Sequence, residues 1–529
     1  MSFETWEVRT GYGPVAGRVE DGIGAFLGIP YGQLRVEPGL WQSNRFVAPQ
    51  PPDPWIDSYP AHAFGPTPPR GTAGIGDLLL GGDPALIGGI NQKSTDWLTI
   101  NVWAQRRPGQ PRPVMVWIHG GAFVRGASAG TAYDGTAFAR DGVVLVSFNY
   151  RLGLEGFGYL PDAPAPANRG LLDQILALQW VRDNIENFGG DPGNVTVFGE
   201  SAGAMSILAL MASRPTLFDK AIVQSGTAHI AQSTQDAALV VAAVAEKLKV
   251  EPTATALRAV AFSDLIAAQQ QVHQEVVDTA DPDRFGPTTI ASCGMSFLPV
   301  VDNDVVSGIA YDRIRAGAGA HIPLLIGTTT EEHRLFTMPY KAIVDAEAKP
   351  LQQRLGVYGA PDTMYDKYAS RSSAPYTRSL PCEVFSAVMS DRLFRISTIR
   401  VAEARADRGG DSKTYVYELG WRSGKTYVGR HPLGACHVTD IPFVWDTLTA
   451  KGVDELLQDP PADLATAIHA RWIEFAETGA LKNWPVYNTN KRSTMTFYKD
   501  NVEVNQIVDD PRGIERQLWD NVELSADTD

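Results

Sequence analysis

The sequence predicts an α/β fold built on one large, mostly parallel sheet with helices on both faces. From residue 98 onward, apolar segments of strand length alternate with segments of helical periodicity. The apolar segments are nearly continuous, as in strands that are covered on both faces. The chain has 529 residues, 44% of them hydrophobic, and no linker or internal repeat divides it. We therefore expect a single domain spanning residues 1–529.

The first part of the chain favours antiparallel hairpins. Short strand-like segments at 6–9, 15–19 and 25–29 are separated by Gly, Asp and Pro. Residues 48–95 are rich in Pro and Gly and predict a long irregular loop of the kind that forms rims or lids.

The strand–helix alternation follows this loop. The apolar strands are predicted at 98–104, 113–119, 142–150, 194–199, 221–226, 322–328 and 414–420. Apolar residues at helical spacing predict helices at 171–188, 204–212 and 463–479. Long Ala-rich amphipathic stretches predict helical insertions at about 230–320 and 335–410.

Charge and cysteine content exclude several classes of protein. Lys and Arg number 46 against 60 Asp and Glu, a net charge of −14, so neither nucleic acid nor a membrane is an expected partner. No apolar run is long enough for a transmembrane helix, and the N-terminus shows no signal peptide. Cys293, Cys382 and Cys436 lie far apart and indicate neither a disulfide framework nor a metal site. We expect a cytoplasmic protein that needs no metal.

Two segments match the pattern Gly-x-Ser-x-Gly. The segment 199–203 lies between a predicted strand and a predicted helix, the context that exposes a nucleophilic serine on a sharp turn. The segment 126–130 has neither a strand before it nor a helix after it. Ser201 is therefore the candidate nucleophile, and Ser128 is expected to be a loop serine.

A serine nucleophile needs hydrogen-bond donors for the negative oxygen that its attack creates. His119, Gly120 and Gly121 follow directly on a buried strand, where glycines let the backbone approach a substrate closely. We expect the oxyanion donors to be the N–H groups of Gly120, Gly121 and Ala202.

The serine also needs a base and an acid, which follow it in the chain in this kind of fold. His437 lies in a loop beyond the strand at 414–420, whereas His469 lies within an amphipathic helix, where packing explains it. The strand at 322–328 leads to two adjacent carboxylates, Glu331 and Glu332. The residues alone do not choose between them, and one of the two is expected to be a solvated loop charge.

Other titratable residues have simpler explanations. His321 precedes a strand at its wrong end, and His431 stands before a proline that suits a turn. Turn formation accounts for Asp302 and Asp304.

The run of residues 168–204 closely resembles the type-B carboxylesterase signature. This family includes bacterial para-nitrobenzyl-esterase-like enzymes, carbamate-hydrolysing relatives and the cholinesterases. Six more segments resemble the family in the same order, FLGIPYG (26–32), DWLTINVW (96–103), WIHGGAF (117–123), NYRLGLEGF (149–157), LLIGTTTEEH (324–333) and CHVTDIPFVW (436–445). The resemblance implies an α/β-hydrolase fold.

The resemblance also implies roles for individual residues. It makes Glu332 the acid and His437 the base. Ser225 is expected to support the acid by hydrogen bonding, and Glu200 either tunes the site electrostatically or is a packed residue of the turn. His333 stands where the family often has Gly, so we expect the acid loop to be shaped differently.

Further departures prevent any transfer of substrate preference. Trp97 stands where many relatives have a disulfide cysteine, which agrees with an intracellular location. The segments 32–46 and 71–95 resemble parts that line the family's gorge, and both are altered here.

The leading hypothesis is a serine carboxylesterase that hydrolyses small-molecule esters through an acyl-enzyme intermediate. It needs no cofactor and is expected to be a monomer or a homodimer. The first alternative is a carbamate or anilide/amide hydrolase with the same triad, which turnover of isosteric substrates would distinguish. The second is a non-catalytic cholinesterase-like binding protein, which organophosphate labelling of Ser201 would exclude.

Overall fold

The computed structural model describes residues 4–34, 45–71, 96–106, 109–371, 378–408, 413–428, 431–498, 505–526 and 528. The strands within these ranges are β1 (Glu4–Arg9), β2 (Pro14–Glu20), β3 (Ile23–Pro30), β4 (Tyr59–Pro60), β5 (Thr99–Gln105), β6 (Arg112–Ile118), β7 (Val144–Phe148), β8 (Gly190–Glu200), β9 (Lys220–Gln224), β10 (Leu324–Thr329), β11 (Thr414–Leu419), β12 (Ser423–Thr426), β13 (Pro432–Gly434), β14 (Ser493–Phe497) and β15 (Gln506–Asp509).

Helices cover both faces of the strands. The α-helices in the described ranges are α1 (Thr136–Arg140), α2 (Gly153–Phe157), α3 (Arg169–Asn184), α4 (Ala202–Ser213), α5 (Thr234–Leu248), α6 (Ala254–Arg258), α7 (Phe262–Thr279), α8 (Pro282–Phe285), α9 (Pro287–Ala291), α10 (Ala310–Arg315), α11 (Lys341–Val344), α12 (Ala348–Val357), α13 (Met364–Ala369), α14 (Pro381–Ser390), α15 (Ile396–Asp407), α16 (Ile441–Trp445), α17 (Val453–Leu456), α18 (Ala462–Thr478) and α19 (Gly513–Gln517). Short 3₁₀ turns lie at Ile185–Phe188 and Glu332–Phe336.

In the described part of the chain, one 13-stranded sheet has the order β1-β2-β3-β5-β7-β6-β8-β9-β10-β11-β14-β15, with β4 beside β2. From β7 to β14 in this order, each strand is parallel to the next one. The N-terminal strands β1, β2 and β3 are antiparallel, as predicted. The large, mostly parallel sheet is therefore confirmed.

One strand of the apolar series runs in the opposite direction to its neighbours. β5, which matches the strand predicted at 98–104, is antiparallel to both β3 and β7. Because β5 is buried on both faces, its sequence is as apolar as that of a parallel strand and does not indicate its direction.

The continuous apolar sequence of β6 follows from the two cores it separates. Val114, Val116 and Ile118 belong to one buried cluster, and Met115 and Trp117 to a second one on the other face of the sheet. Each fully buried side chain of this kind contributes about 1.5–3 kcal/mol. Since no residue of β6 from Val114 onward faces solvent, strand alternation is absent from its sequence.

The sheet order determines where functional groups can meet. In α/β sheets, ligands bind beyond the carboxyl ends of the parallel strands. β8 ends at Glu200, β10 ends at Thr329, and β9 lies between them. Residues directly after these strands therefore lie at one edge of the sheet.

Several expectations concern other parts of the molecule. Helices α5 to α10 and α11 to α15 lie within the two stretches where insertions are expected, and their assignment to a single domain stays a prediction. The loop residues 72–95 and the residues 35–44 of the altered gorge segment lie outside the described residues.

None of the helices in the described ranges is long and apolar enough to cross a bilayer.

Candidate active site

Ser201 occupies a sharp turn between β8 and α4. Its backbone angles are φ 55° and ψ −123°, a conformation that L-residues rarely adopt outside strained functional turns. The flanking glycines allow the turn to pack on the end of β6: a Cβ on Gly203 would lie 1.9 Å from the carbonyl oxygen of Ile118, and one on Gly199 would lie 2.6 Å from it. The turn therefore needs Gly at both positions, and it presents Ser201 at the N-terminus of α4.

Ser128 has a different environment. It is buried in a loop, where its N–H donates to Asn149 Oδ1 at 2.8 Å and its Oγ accepts from Asn101 Nδ2 at 3.0 Å. Both contacts tie the loop to the sheet, so Ser128 has a structural role.

Glu332 and His437 form a buried pair. His437 Nδ1 lies 2.6 Å from Glu332 Oε2, and both side chains are almost fully buried. The other carboxylate oxygen accepts from Ser225 Oγ at 2.6 Å and from the N–H of Thr329 at 2.7 Å. A buried carboxylate is stable only with such partners. Together these contacts hold the carboxylate of Glu332 in one orientation and fix Nδ1 of the imidazole as a donor.

Glu200 lies on the other side of the same imidazole. Its Oε1 is 3.0 Å from His437 Nε2, within ion-pair distance but without hydrogen-bond alignment in the described structure. Burial alone would lower the pKa of His437, but Glu200 and Glu332 outweigh it and raise the pKa from 6.5 to about 10. Burial likewise raises the pKa of Glu200, an effect that His437 opposes. Glu200 is thus in direct electrostatic contact with the imidazole.

Glu331 corrects an expectation. One of the two adjacent glutamates was expected to be a solvated charge, yet Glu331 is only 5% exposed. Its carboxylate accepts from Arg422 Nε at 2.8 Å and from the N–H of Ala435 at 3.0 Å, and its own N–H donates to the carbonyl of Ala435. The N–H of His437 in turn donates to the carbonyl of Glu332. The reason for the burial is therefore that Glu331 clamps the loop that carries His437.

The backbone at 120–121 lies against the turn of Ser201. A Cβ on Gly120 would lie 3.1 Å from Ser201 Cβ and 2.8 Å from Glu200 Oε2. Gly121 has φ +114°, and a Cβ there would meet the carbonyl oxygen of Arg125 at 2.3 Å. Within the described residues, the N–H groups of Gly120, Gly121 and Ala202 donate no hydrogen bond to protein. Three backbone donors are thus left for a ligand near Ser201.

Sequence reasoning missed the aromatic side chains around His437. The Phe394 ring lies 4.8 Å from the imidazole, centroid to centroid, and the Phe336 ring lies 5.3 Å from it. His333 packs beside them, and burial, its main influence, lowers its pKa to about 3. Phe336 could have been found from its place four residues after Glu332. No local pattern marks Phe394, because it reaches the site from a distant helix.

A second missed feature lies beneath the turn. The N–H of Ser201 donates to the carbonyl of Gln224, whose side chain donates to Asp440 Oδ2 at 2.8 Å. Burial, followed by repulsion from Glu200, raises the pKa of Asp440 to about 7. These hydrogen bonds tie the turn of Ser201 to β9 and to the segment of His437.

His469 and Asp302 fit the simpler explanations given for them. His469 is buried in α18 with its Nδ1 2.7 Å from the carbonyl of Val444. Asp302 accepts from the N–H groups of Asp304 and Val306, which makes it a turn residue. Among the described side chains, no cluster of three or more His, Cys, Asp or Glu could hold a metal ion.

Comparisons with known proteins agree with this architecture. The sequence model of the carboxylesterase family matches residues 4–513. The chain is 35% identical over 526 residues to the para-nitrobenzyl esterase of Bacillus subtilis (strain 168), covering 96% of this chain and 97% of the relative. It is 30% identical to the phenmedipham hydrolase of Pseudarthrobacter oxydans, covering 94% of this chain and 96% of that protein.

The solved structures include a PNB esterase with a TM-score of 0.77 and 34% identity, covering 97% of this chain and 99% of the other. The α/β-hydrolase fold that the resemblance implies is therefore confirmed. Since the family match and the 35% identical relative both extend over nearly the whole sequence, the chain belongs to the carboxylesterase family and is a carboxylic ester hydrolase.

Proposed function

We propose that the protein hydrolyses small-molecule carboxylic esters through an acyl-enzyme intermediate formed on Ser201. His437 is the general base, and Glu332 orients it. The observation that carries the proposal is the buried Glu332–His437 pair, with a 2.6 Å contact. The Nε2 atom of the same imidazole lies 3.0 Å from Glu200, the residue directly before a serine held at φ 55° on the N-terminus of α4. These are the groups that activate a hydroxyl which is un-ionised at neutral pH.

The proposed cycle has two acyl-transfer steps. Ser201 Oγ attacks the ester carbonyl while His437 Nε2 takes its proton, and the imidazolium then protonates the leaving alcohol. In the second step His437 activates water, which releases the acid and regenerates Ser201. Glu332 stays ionised throughout and stabilises the imidazolium.

The negative oxygen of each tetrahedral intermediate is proposed to bind the N–H groups of Gly120, Gly121 and Ala202. The absence of protein acceptors for these three groups in the described structure supports this role. Each such donor contributes about 3–4 kcal/mol at the transition state.

A fluorophosphonate probe tests the nucleophile directly. The probe mimics the tetrahedral intermediate and reacts with an activated serine, so we expect one adduct per chain on the peptide that contains Ser201. Mass spectrometry of the digested protein locates the adduct. Ser128→Ala should label like the wild type and Ser201→Ala should not. An unlabelled but folded wild type, or an adduct on Ser128, would refute the proposal.

Glu200 is proposed to tune the base. Because Glu200 Oε1 lies 3.0 Å from His437 Nε2, its charge favours the protonated imidazole, and only the deprotonated form accepts the proton of Ser201. In Glu200→Gln we expect the alkaline rise of kcat/KM to move to lower pH, since one of the two carboxylates that raise the pKa of His437 is neutral. The pH profile of para-nitrophenyl acetate hydrolysis measures this. A rise at the same or higher pH would contradict the prediction.

Leaving-group preference is a finer property of the same site. We propose ester hydrolysis as the main activity, with carbamate or anilide hydrolysis by the same groups as the alternative. The ratio of kcat/KM values for an ester and its isosteric carbamate and anilide decides between them. The cytoplasmic location and the monomeric or homodimeric state remain predictions.

A further inference from the structure

A single π-helical turn interrupts the helical segment 381–407. Helix α14 leads into the π turn at Asp391–Arg395, and α15 follows it directly. Such turns are rare in globular proteins and occur frequently at functional sites. The side chains that this turn places are therefore of interest.

A buried carboxylate stabilises the turn. Asp391 accepts from Arg395 Nε and Nη2, at 2.6 Å each, and from the hydroxyl of Tyr368. Arg512 Nη1 lies 3.5 Å from it, and Trp519 donates to Tyr368 at 2.9 Å. Burial alone would raise the pKa of Asp391, but the two arginines lower it to about 2. The turn is thus held by an ionised carboxylate at any ordinary pH.

The extra residue of the turn determines the side to which Phe394 points. Phe385 lies nine residues earlier. In a continuous α-helix two residues at this separation lie about 180° apart around the axis. One extra residue in a π turn reduces this to about 80°. Both rings therefore point toward the acid–base side of the site, Phe385 to His333 at 5.5 Å and Phe394 to His437 at 4.8 Å between centroids.

The contact of Phe394 with His437 is close and dry. The two ring planes differ by 36°, and the Phe394 side chain is 2% exposed. Phe336 also contacts the imidazole, with planes 48° apart, but it is 39% exposed. A cation within about 6 Å of an aromatic face is attracted to it, most strongly when water is excluded. Phe394 is consequently the side chain better placed to act on a charged imidazole.

We propose that the π turn makes Phe394 a positioning residue, whose ring holds the imidazole of His437 in the orientation set by Glu332 and stabilises it when charged. This inference rests on the proposed function, in which His437 is the base. Phe394 acts through His437, and no contact with the substrate is needed for the effect.

The charged and titratable groups that face His437 come from several elements. They are Glu200 at the end of β8, Glu332 and His333 in the 3₁₀ turn, and Asp440 in the segment of His437 itself. Phe394 carries no charge of its own. A change at this position therefore alters the environment of the imidazole while it leaves all four groups in place.

Phe394→Leu tests the inference, because it keeps an apolar side chain and removes the aromatic face. For para-nitrophenyl acetate we expect kcat to fall about tenfold, with KM within about twofold of the wild type. We also expect the alkaline rise of kcat/KM to move to lower pH, since the imidazolium loses stabilisation. Phe394→Tyr keeps the ring and should retain the wild-type midpoint. The midpoint does not depend on the fraction of active protein, so partial unfolding cannot imitate the shift.

Phe385→Leu is the matched control. Phe385 is also 2% exposed and lies in the same helical segment, but it contacts His333 and not His437. It should keep the wild-type midpoint. If Phe394→Leu keeps that midpoint and changes only the preference among acyl chain lengths, the inference is wrong and Phe394 is a wall of the acyl pocket. If His437→Ala remains active, the proposed function itself is wrong, whatever Phe394→Leu shows.

Discussion

Replacing Ser201 by alanine is expected to lower kcat for para-nitrophenyl butyrate by about 10⁵-fold or more, since the acyl-enzyme cannot form. The residual rate comes from the oxyanion donors and from substrate binding, which the substitution leaves in place. KM should change little, because Ser201 Oγ contributes to the reaction more than to ground-state binding. Initial rates with purified wild type and Ser201→Ala measure both parameters.

Ser128→Ala is the matched control, since it changes the serine of the second Gly-x-Ser-x-Gly segment. Its Oγ accepts from Asn101, so the variant loses some stability but should retain the wild-type kcat. A loss of activity in Ser128→Ala comparable with that in Ser201→Ala would show that the nucleophile has been misassigned.

Glu332→Gln is expected to lower kcat by about 10³–10⁴-fold. The amide fills the same space, but it carries no charge to stabilise the imidazolium, and its NH₂ group competes for the position of a hydrogen-bond acceptor opposite His437 Nδ1. Steady-state rates at the pH optimum of each protein measure the effect, and circular dichroism confirms that the variant is folded.

Glu331→Gln is the control for this variant, because it makes the same change in the adjacent residue. Glutamine can still accept from the N–H of Ala435 but loses its charge opposite Arg422. We expect a loss of about 1–3 kcal/mol in the free energy of unfolding and less than a tenfold loss in kcat. If Glu331→Gln were the more damaging to kcat, the acid would have to be reassigned.

The fold was largely predictable because the strands of the parallel region contain apolar segments that are buried on both faces. β6 from Val114 onward, β8 over 195–199 and β10 over 324–327 are such segments, and their burial accounts for that pattern. The direction of β5 was not predictable, because burial on both faces gives the same composition to parallel and antiparallel strands.

The candidate site was predictable where the chain conformation itself demands particular residues. The sharp turn at Ser201 needs glycines at fixed positions, and these are visible in the sequence. The burial of Glu331 was not predictable, because it depends on how distant loops pack. The resemblance pointed to an electrostatic role for Glu200, but its contact with His437 depends on the same loop packing. Phe394 escaped for the same reason, since it reaches the imidazole through a π turn that has no sequence signal.

The two carboxylates that hold His437 also affect how the folded protein withstands alkali. Since they raise the pKa of the imidazole from 6.5 to about 10 despite its burial, its protonation stabilises the native state fully below about pH 6.5. This contribution is lost as the pH rises through 10, while the deprotonated base becomes more abundant over the same interval. The melting temperature should therefore fall from pH 7 to pH 10, and less steeply in Glu200→Gln. With His437 as the proposed base, we expect turnover to increase with pH over the same interval in which thermal stability decreases.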